Sequence, residues 1–189
     1  MSKIAQHSAN LVQITPLISR NKDNILTINA PSFWINDVEQ ADGSHEIKVE
    51  INSQKNWLKF SQEQGNTCIL FPVDGAAGVF VYPPNVANPD DFILNGKRVG
   101  GCDFLLLHDK WLFVELKTEA ISPNLEQIQE NRSKAALQLG RTLTYFQEQN
   151  ILLNKSNCSC MIVAPTFFPK IAKISIPQTV KFLKRLVLL

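Results

Sequence analysis

Three charged residues, Asp103, Glu115 and Lys117, stand in a stretch that otherwise reads as two apolar β-strands, Gly101 to Thr118. Such side chains are almost never fully buried unless paired, so their place in apolar strands asks for a reason. The polar break between the two runs, His108-Asp109-Lys110, fits a three-residue hairpin loop. With that loop Leu107 faces Trp111, Leu105 faces Phe113, and the same register sets Asp103 directly opposite Glu115. Side chains alternate with a period of two along a strand, so Lys117 shares their face. Opposed Cβ atoms on neighbouring strands lie ~4.5–5.5 Å apart, within reach of one shared divalent cation. Without a cation the pair is unfavourable, because like charges across a ladder repel and a buried carboxylate must be paired or protonated. Mg²⁺, with Mn²⁺ as its substitute, takes carboxylate oxygen, keeps several waters and activates one of them. Lys117 adds positive charge beside that water or beside a phosphate. Two alternatives stand against this chemistry. A two-residue turn shifts the register by one and moves Glu115 off the face of Asp103. A salt bridge between Lys117 and one carboxylate accounts for the charges as structure alone.

The set of Asp103, an eleven-residue gap and Glu115-Leu116-Lys117, placed in an apolar hairpin before an amphipathic helix, resembles the PD-(D/E)xK nuclease superfamily. The order of elements between Asn52 and Ala164 is similar to that family's core. The resemblance implies an α/β fold: a central mixed β-sheet flanked by helices, with a restriction-endonuclease-like αβββαβ core. It implies metal-dependent hydrolysis of phosphodiester bonds. Asp103 and Glu115 would bind the metal, with the Leu116 carbonyl as a further ligand, and Lys117 would orient the attacking water or stabilise developing charge. Family branches place a Gln from the following helix near the scissile phosphate, and Gln138 resembles it. Their Q-x-x-x-Y spacing is not reproduced, since Thr142 stands at the fourth position. The residue before Asp103 is Cys102 where the family has Pro; a literal Pro-Asp occurs at Pro89-Asp90, among turn formers. Asp103 is preferred because the hairpin register brings it to Glu115. A further family acid often comes from the first helix, for which Glu50 and Glu63 are candidates.

The elements that must position these residues follow from pattern. Leu11 to Ile18 reads as a short strand and Asn29-Ala30-Pro31-Ser32 as a turn. Ile47, Val49 and Ile51 alternate with charged residues, as in a strand. Asn52-Ser53 caps an expected short helix with Trp57 and Phe60 on one face, ending at Gly65. Thr67 to Val73 is a buried-type strand ended by Pro72, Asp74-Gly75 a turn, and Tyr82 to Asp91 a Pro- and Asn-rich loop. Ser122 as N-cap and Pro123 at the first position open a helix to about Asn150. Its apolar stripe is Leu125, Ile128, Ala135, Leu139, Leu143 and Phe146. Lys134, Gln138, Arg141 and Tyr145 share a polar face beside it, a solvated face or part of the site. Cys158 to Ala164 is expected as a buried strand and Val180 to Leu189 as a terminal helix. The chain divides into an N-terminal extension (1–51) packed on the core, a nuclease-like core (52–165) and a basic C-terminal extension (166–189).

The 189 residues include 44% apolar and 19% charged side chains, the balance of a folded globular chain and not of a disordered one. No run approaches the ~20 apolar residues of a membrane span, and the first ten residues lack the apolar core of a signal peptide. Four cysteines make no disulfide scaffold. The expectation is a cytoplasmic protein with reduced thiols and no membrane partner. Net charge is +2, but residues 149–189 carry six basic side chains and no acid. That asymmetry suits a polyanion, with Lys134, Arg141, Lys181, Lys184 and Arg185 as nucleic-acid contacts, or a helix end complementing its own dipole. Cys158-x-Cys160 lacks a second pair at zinc spacing and reads as buried thiols. His45 and His108 have no catalytic Ser or Cys partner, and Gly75 to Gly78 lacks the lysine of a phosphate loop. The glycines at 100 and 101 suit a close backbone approach or a bulge beside the site.

The expected function is a Mg²⁺-dependent nuclease acting on DNA in preference to RNA, an effector in defence, restriction or repair, working as a homodimer or with a partner subunit. The alternative is a catalytically inactive nuclease-like subunit that binds nucleic acid or scaffolds a larger complex.

Overall fold

A computed structural model describes residues 16–17, 19–42, 45–52, 57–74, 76, 79, 93–94, 97–98, 100–108, 110–117, 124–151 and 158–164. The fold is mixed α/β. The strands are β1 (Leu26–Ile28), β2 (Ser32–Glu39), β3 (His45–Glu50), β4 (Leu58–Ser61), β5 (Cys68–Pro72), β6 (Ile93–Leu94), β7 (Lys97–Arg98), β8 (Phe104–Leu107), β9 (Trp111–Leu116) and β10 (Cys158–Val163). Among the described residues the long helix is α1 (Leu125–Glu148). A five-stranded sheet runs in the order β1-β5-β8-β9-β10, a three-stranded one in the order β3-β2-β4, and β6 pairs with β7 alone.

The central sheet is mixed because of its connections. The β1-β5, β5-β8 and β8-β9 pairs are antiparallel, the last as a hairpin and the first two between strands distant in the chain. The β9-β10 pair is parallel, which requires a crossover, and α1 supplies it. Leu107 pairs with Trp111 and Leu105 with Phe113, and His108 N donates to Lys110 O, so the hairpin has the predicted register and the two-residue turn is excluded. Period-two alternation then sorts the sheet into two faces. Phe71, Leu105, Leu107, Trp111 and Phe113 pack against Leu139, Tyr145 and Phe146 of the helix. Cys68, Leu70, Phe104, Leu106, Val114 and Leu116 pack against Phe33 and Ile35 of the small sheet, with Leu58 and Phe60 beside them. Burying each such side chain contributes about 1.5–3 kcal/mol, so both layers are needed to close the core.

Several expectations are corrected. The segment read as a helix before Gly65 carries strand β4 instead, paired to β2. Leu58 and Phe60 point inward while Lys59 and Ser61 point out, and Phe60 stacks on Phe33 at 5.6 Å. Trp57 and Phe60 also suit a helical step of three, which is why the two periods were confusable. Gly65 ends the turn that follows, at φ +84°, where other residues are strained. Pro16 and Leu17 are helical where a strand was expected. The N-cap of α1 is Asn124, whose side chain accepts from Glu126 N at 2.9 Å; Ser122 and Pro123 lie outside the described residues. Leu125 is 63% exposed, so the buried stripe begins at Ile128. Residues 159–162 of β10 are exposed, not buried, because β10 is an edge strand. The turn between β1 and β2 and the strand at Ile47 and Val49 are as expected. The three-stranded sheet takes β2 and β3 from before residue 52 and β4 from after it. The loop from Tyr82 to Asp91 and the segment Val180 to Leu189 lie outside the described residues. Among the described residues no helix is long and apolar enough to cross a membrane. All four cysteines are free thiols.

Candidate active site

Asp103 sits in the bend immediately before β8, Glu115 in β9 with the helix-facing parity of Phe113, and Lys117 immediately after β9. Val73 N donates to Asp103 O at 2.9 Å, tying the bend to the end of β5. Leu116 N donates to Asp103 Oδ2 at 2.5 Å, so the carboxylate is held across the hairpin. Lys117 N donates to Val163 O at 2.7 Å, which fixes the exit of β9 against β10. Helix α1 closes the site from above. Gln138 Oε1 accepts from Lys117 Nζ at 3.2 Å, and Gln138 Nε2 donates to Gly101 O at 3.0 Å.

Lys117 Nζ is ion-paired to Glu115 Oε1, so the salt bridge weighed against the chemistry is present. It does not satisfy the group of charges. Glu115 is fully buried, and its second oxygen, Oε2, has no hydrogen-bond partner. Burial pushes the Glu115 carboxyl up to about 8; the neighbouring Asp103 charge pushes the same way, and Lys117 opposes without cancelling them. Burial also raises Asp103, to about 6, against the lowering effect of the Leu116 N–H and of Lys117. Two carboxyls beside one ammonium in a desolvated corner cannot both ionise without an excess of negative charge, so in the metal-free protein Glu115 keeps its proton up to about pH 8. A divalent cation removes that excess. Among the described residues no three His, Cys, Asp or Glu side chains are grouped to hold a metal. Two carboxylates completed by a backbone carbonyl and water remain within what Mg²⁺ accepts.

Asp103 also borders an open cleft of about 590 Å³ whose wall includes Asp23, Asp37, His45, Glu46 and Asp74. Asp37 Oδ2 holds His45 Nδ1 at 2.9 Å. Gly100 packs against Asp74: a Cβ there would stand 3.0 Å from Asp74 Oδ1, so the close approach expected of the glycine pair is made to a carboxylate. Lys134 is exposed, whereas Arg141 is 4% exposed and Tyr145 2%, so the polar face of α1 is buried from Gln138 onward and is not a solvated one. Glu50 and Glu63 are exposed and do not border the cleft. Lys181, Lys184, Arg185 and Asp90 lie outside the described residues. Cys158 is half-buried and Cys160 exposed, a correction to the expected buried pair. Burial pushes the Cys102 thiol well up, which suits packing and not nucleophilic attack.

Two kinds of site residue escape the sequence reading. Asp37 shares the inward parity of Phe33 and Ile35 in β2, the same signal that singled out Asp103 and Glu115. Thr142 was visible only as a departure from a family spacing, yet it is fully buried and hydrogen-bonded to the backbone beside Asp103. Compared with protein-family models, with curated proteins and with solved structures, the chain finds no match.

Proposed function

We propose that this chain is a metal-dependent nuclease of PD-(D/E)xK type that hydrolyses phosphodiester bonds, in DNA in preference to RNA. The observation that carries the reading is the register that opposes Asp103 and Glu115 and leaves Glu115 Oε2 buried without a partner. The run β5-β8-β9-α1-β10, with the β6-β7 pair between β5 and β8, supports the βββαβ part of the family core, and the helical residues at Pro16, Leu17, Ser19 and Arg20 precede it in the chain.

The metal would be held by Asp103, Glu115 and the Leu116 carbonyl. A divalent cation held there would supply Lewis acidity and an activated water. The chain's own groups do the rest. The Leu116 N–H fixes the Asp103 carboxylate at the cleft wall, where a phosphate arrives. Glu115, sealed under α1, keeps bulk water from the second ligand position. Lys117, 16% exposed, is held between Glu115 and Gln138 and places its ammonium where charge develops on the phosphate or where water is oriented. The carboxylates that line the cleft, Asp23, Asp37, Glu46, Asp74 and Asp103, would disfavour a polyanion in the absence of cations.

The test is cleavage of plasmid, single-stranded and double-stranded DNA and RNA with Mg²⁺, Mn²⁺ or EDTA. Metal-dependent cleavage of DNA is expected, with a loss of about 10²–10³-fold or more in Lys117→Ala and in Asp103→Ala. A Lys117→Ala protein that folds and cleaves at the wild-type rate overturns the reading. Absence of cleavage together with absence of Mn²⁺ binding selects the inactive binding subunit instead.

A further inference from the structure

The nuclease reading gives Gln138 a place near the scissile phosphate, but both ends of its amide are already engaged. Nε2 donates to Gly101 O at 3.0 Å and Oε1 accepts from Lys117 Nζ at 3.2 Å. One turn later along α1, Thr142 is fully buried, and its hydroxyl also bonds in two directions. Oγ1 accepts from Cys102 N at 2.9 Å and donates to Gln138 O at 2.9 Å. Gly101 and Cys102 are the two residues that lead into Asp103, and Lys117 follows Glu115 by two. A single helical turn therefore grips the chain beside each carboxylate, on both strands of the hairpin. The hydroxyl-to-carbonyl bond within the helix is one that a threonine makes readily, at a small cost to helix geometry. Buried and fully satisfied, such a network fixes one arrangement of the groups it joins.

We propose that Gln138 and Thr142 form a positioning clamp that holds the Gly101–Cys102 backbone and the Lys117 ammonium in place, so that Asp103 and Glu115 are presented together to a divalent cation. Gln138 is then not a substrate contact, and the threonine at the fourth position has a task of its own. The inference rests on the nuclease reading for the identity of the bound ion.

The experiment is Mn²⁺ titration by calorimetry on the full chain, for wild type, Asp103→Asn, Gln138→Leu, Thr142→Val and Thr142→Ser. It is run at a temperature where melting curves show each protein folded; Gln138→Leu carries the test if Thr142→Val does not fold. Partners one step behind a metal ligand set affinity by roughly 10–100-fold. Thr142→Val and Gln138→Leu are expected to weaken Mn²⁺ by about tenfold or more, and Thr142→Ser, which keeps the hydroxyl, by about threefold or less. Folded Thr142→Val and Gln138→Leu proteins that bind Mn²⁺ as wild type does, while Asp103→Asn does not, overturn the clamp and leave the nuclease reading standing. This is also the result expected if Gln138 touches only substrate, or if Thr142 serves stability alone. Equal Mn²⁺ affinity in wild type and Asp103→Asn, or none in either, overturns both.

Discussion

The two faces of the central sheet are built from alternate residues of the same strands, yet they differ in kind. The face toward the small sheet is apolar throughout its buried cluster, from Cys68 and Leu70 through Phe104 and Leu106 to Val114 and Leu116. The face toward α1 is equally apolar at Phe71, Leu107, Trp111 and Phe113, but at one end it gives way to Glu115, Gln138, Arg141 and Thr142, all buried. Asp37 carries the inward parity of the small sheet, but the buried cluster on that side is closed by hydrocarbon, whereas the helix side buries a glutamate, a glutamine, an arginine and a threonine together. Burying a carboxylate costs several kcal/mol unless it is paired, and the site leaves Glu115 Oε2 unpaired. The contrast fits the proposal that the polar end of the helix face serves metal binding and not stability.

That contrast is breakable. Phe33→Ala, on the apolar side, removes a 2%-exposed ring stacked on Phe60 and is expected to lower stability by about 3–5 kcal/mol. Denaturant unfolding measures it, and Mn²⁺ affinity of the folded protein should not move. Glu115→Gln, on the polar side, is expected to act in the opposite direction on the metal-free protein. The folded chain holds a proton on Glu115 up to about pH 8 and on Asp103 up to about pH 6, where the unfolded chain has lost both near their ordinary values of 4.5 and 3.8. A raised folded-state pKa makes stability fall as pH climbs through that window. In EDTA the wild type should therefore melt lower at pH 8 than at pH 5. Glu115→Gln should narrow the gap and gain roughly 1–3 kcal/mol at pH 8. An unchanged gap would mean that Glu115 is not the source of the penalty. The smallest effect is expected from Asn124→Ala, which removes the α1 cap and costs about 1 kcal/mol. It separates the helix's stability from its positioning role: melting shifts and Mn²⁺ affinity stays.

The parts legible in the sequence are those where one period was unopposed. The hairpin could be registered because charged residues interrupt apolar runs at fixed parity and a three-residue break joins them. Helix α1 and the strand after it were legible from their stripe and their apolar run. Strand β4 was not, because Trp57 and Phe60 satisfy a helical step while Leu58 and Phe60 satisfy a strand, and only pairing with β2 decides between them. The exposure of β10 depends on its place at the sheet's edge, which no local pattern reports. Asp74 comes to the cleft wall beside the Asp37–His45 pair of the β2-β3 hairpin by tertiary packing of a segment distant in sequence, so that association leaves no spacing to read. Within the site, Asp103, Glu115 and Lys117 were visible as anomalies of charge. Thr142 was not, since a threonine in a helix is unremarkable until its hydroxyl is seen on Cys102 N.

The parallel pairing of β9 with β10 has a consequence in time. The backbone of Lys117 is secured by Val163, on the far side of the whole helix in the chain. The β8-β9 hairpin is a local structure and closes early, whereas the parallel ladder must wait for a long loop to close. A chain emerging from the ribosome thus carries the hairpin, with Asp103 bonded to Leu116 N, well before it can secure the backbone of Lys117. The three charged residues are made first, and the backbone of Lys117 is secured only when β10 arrives.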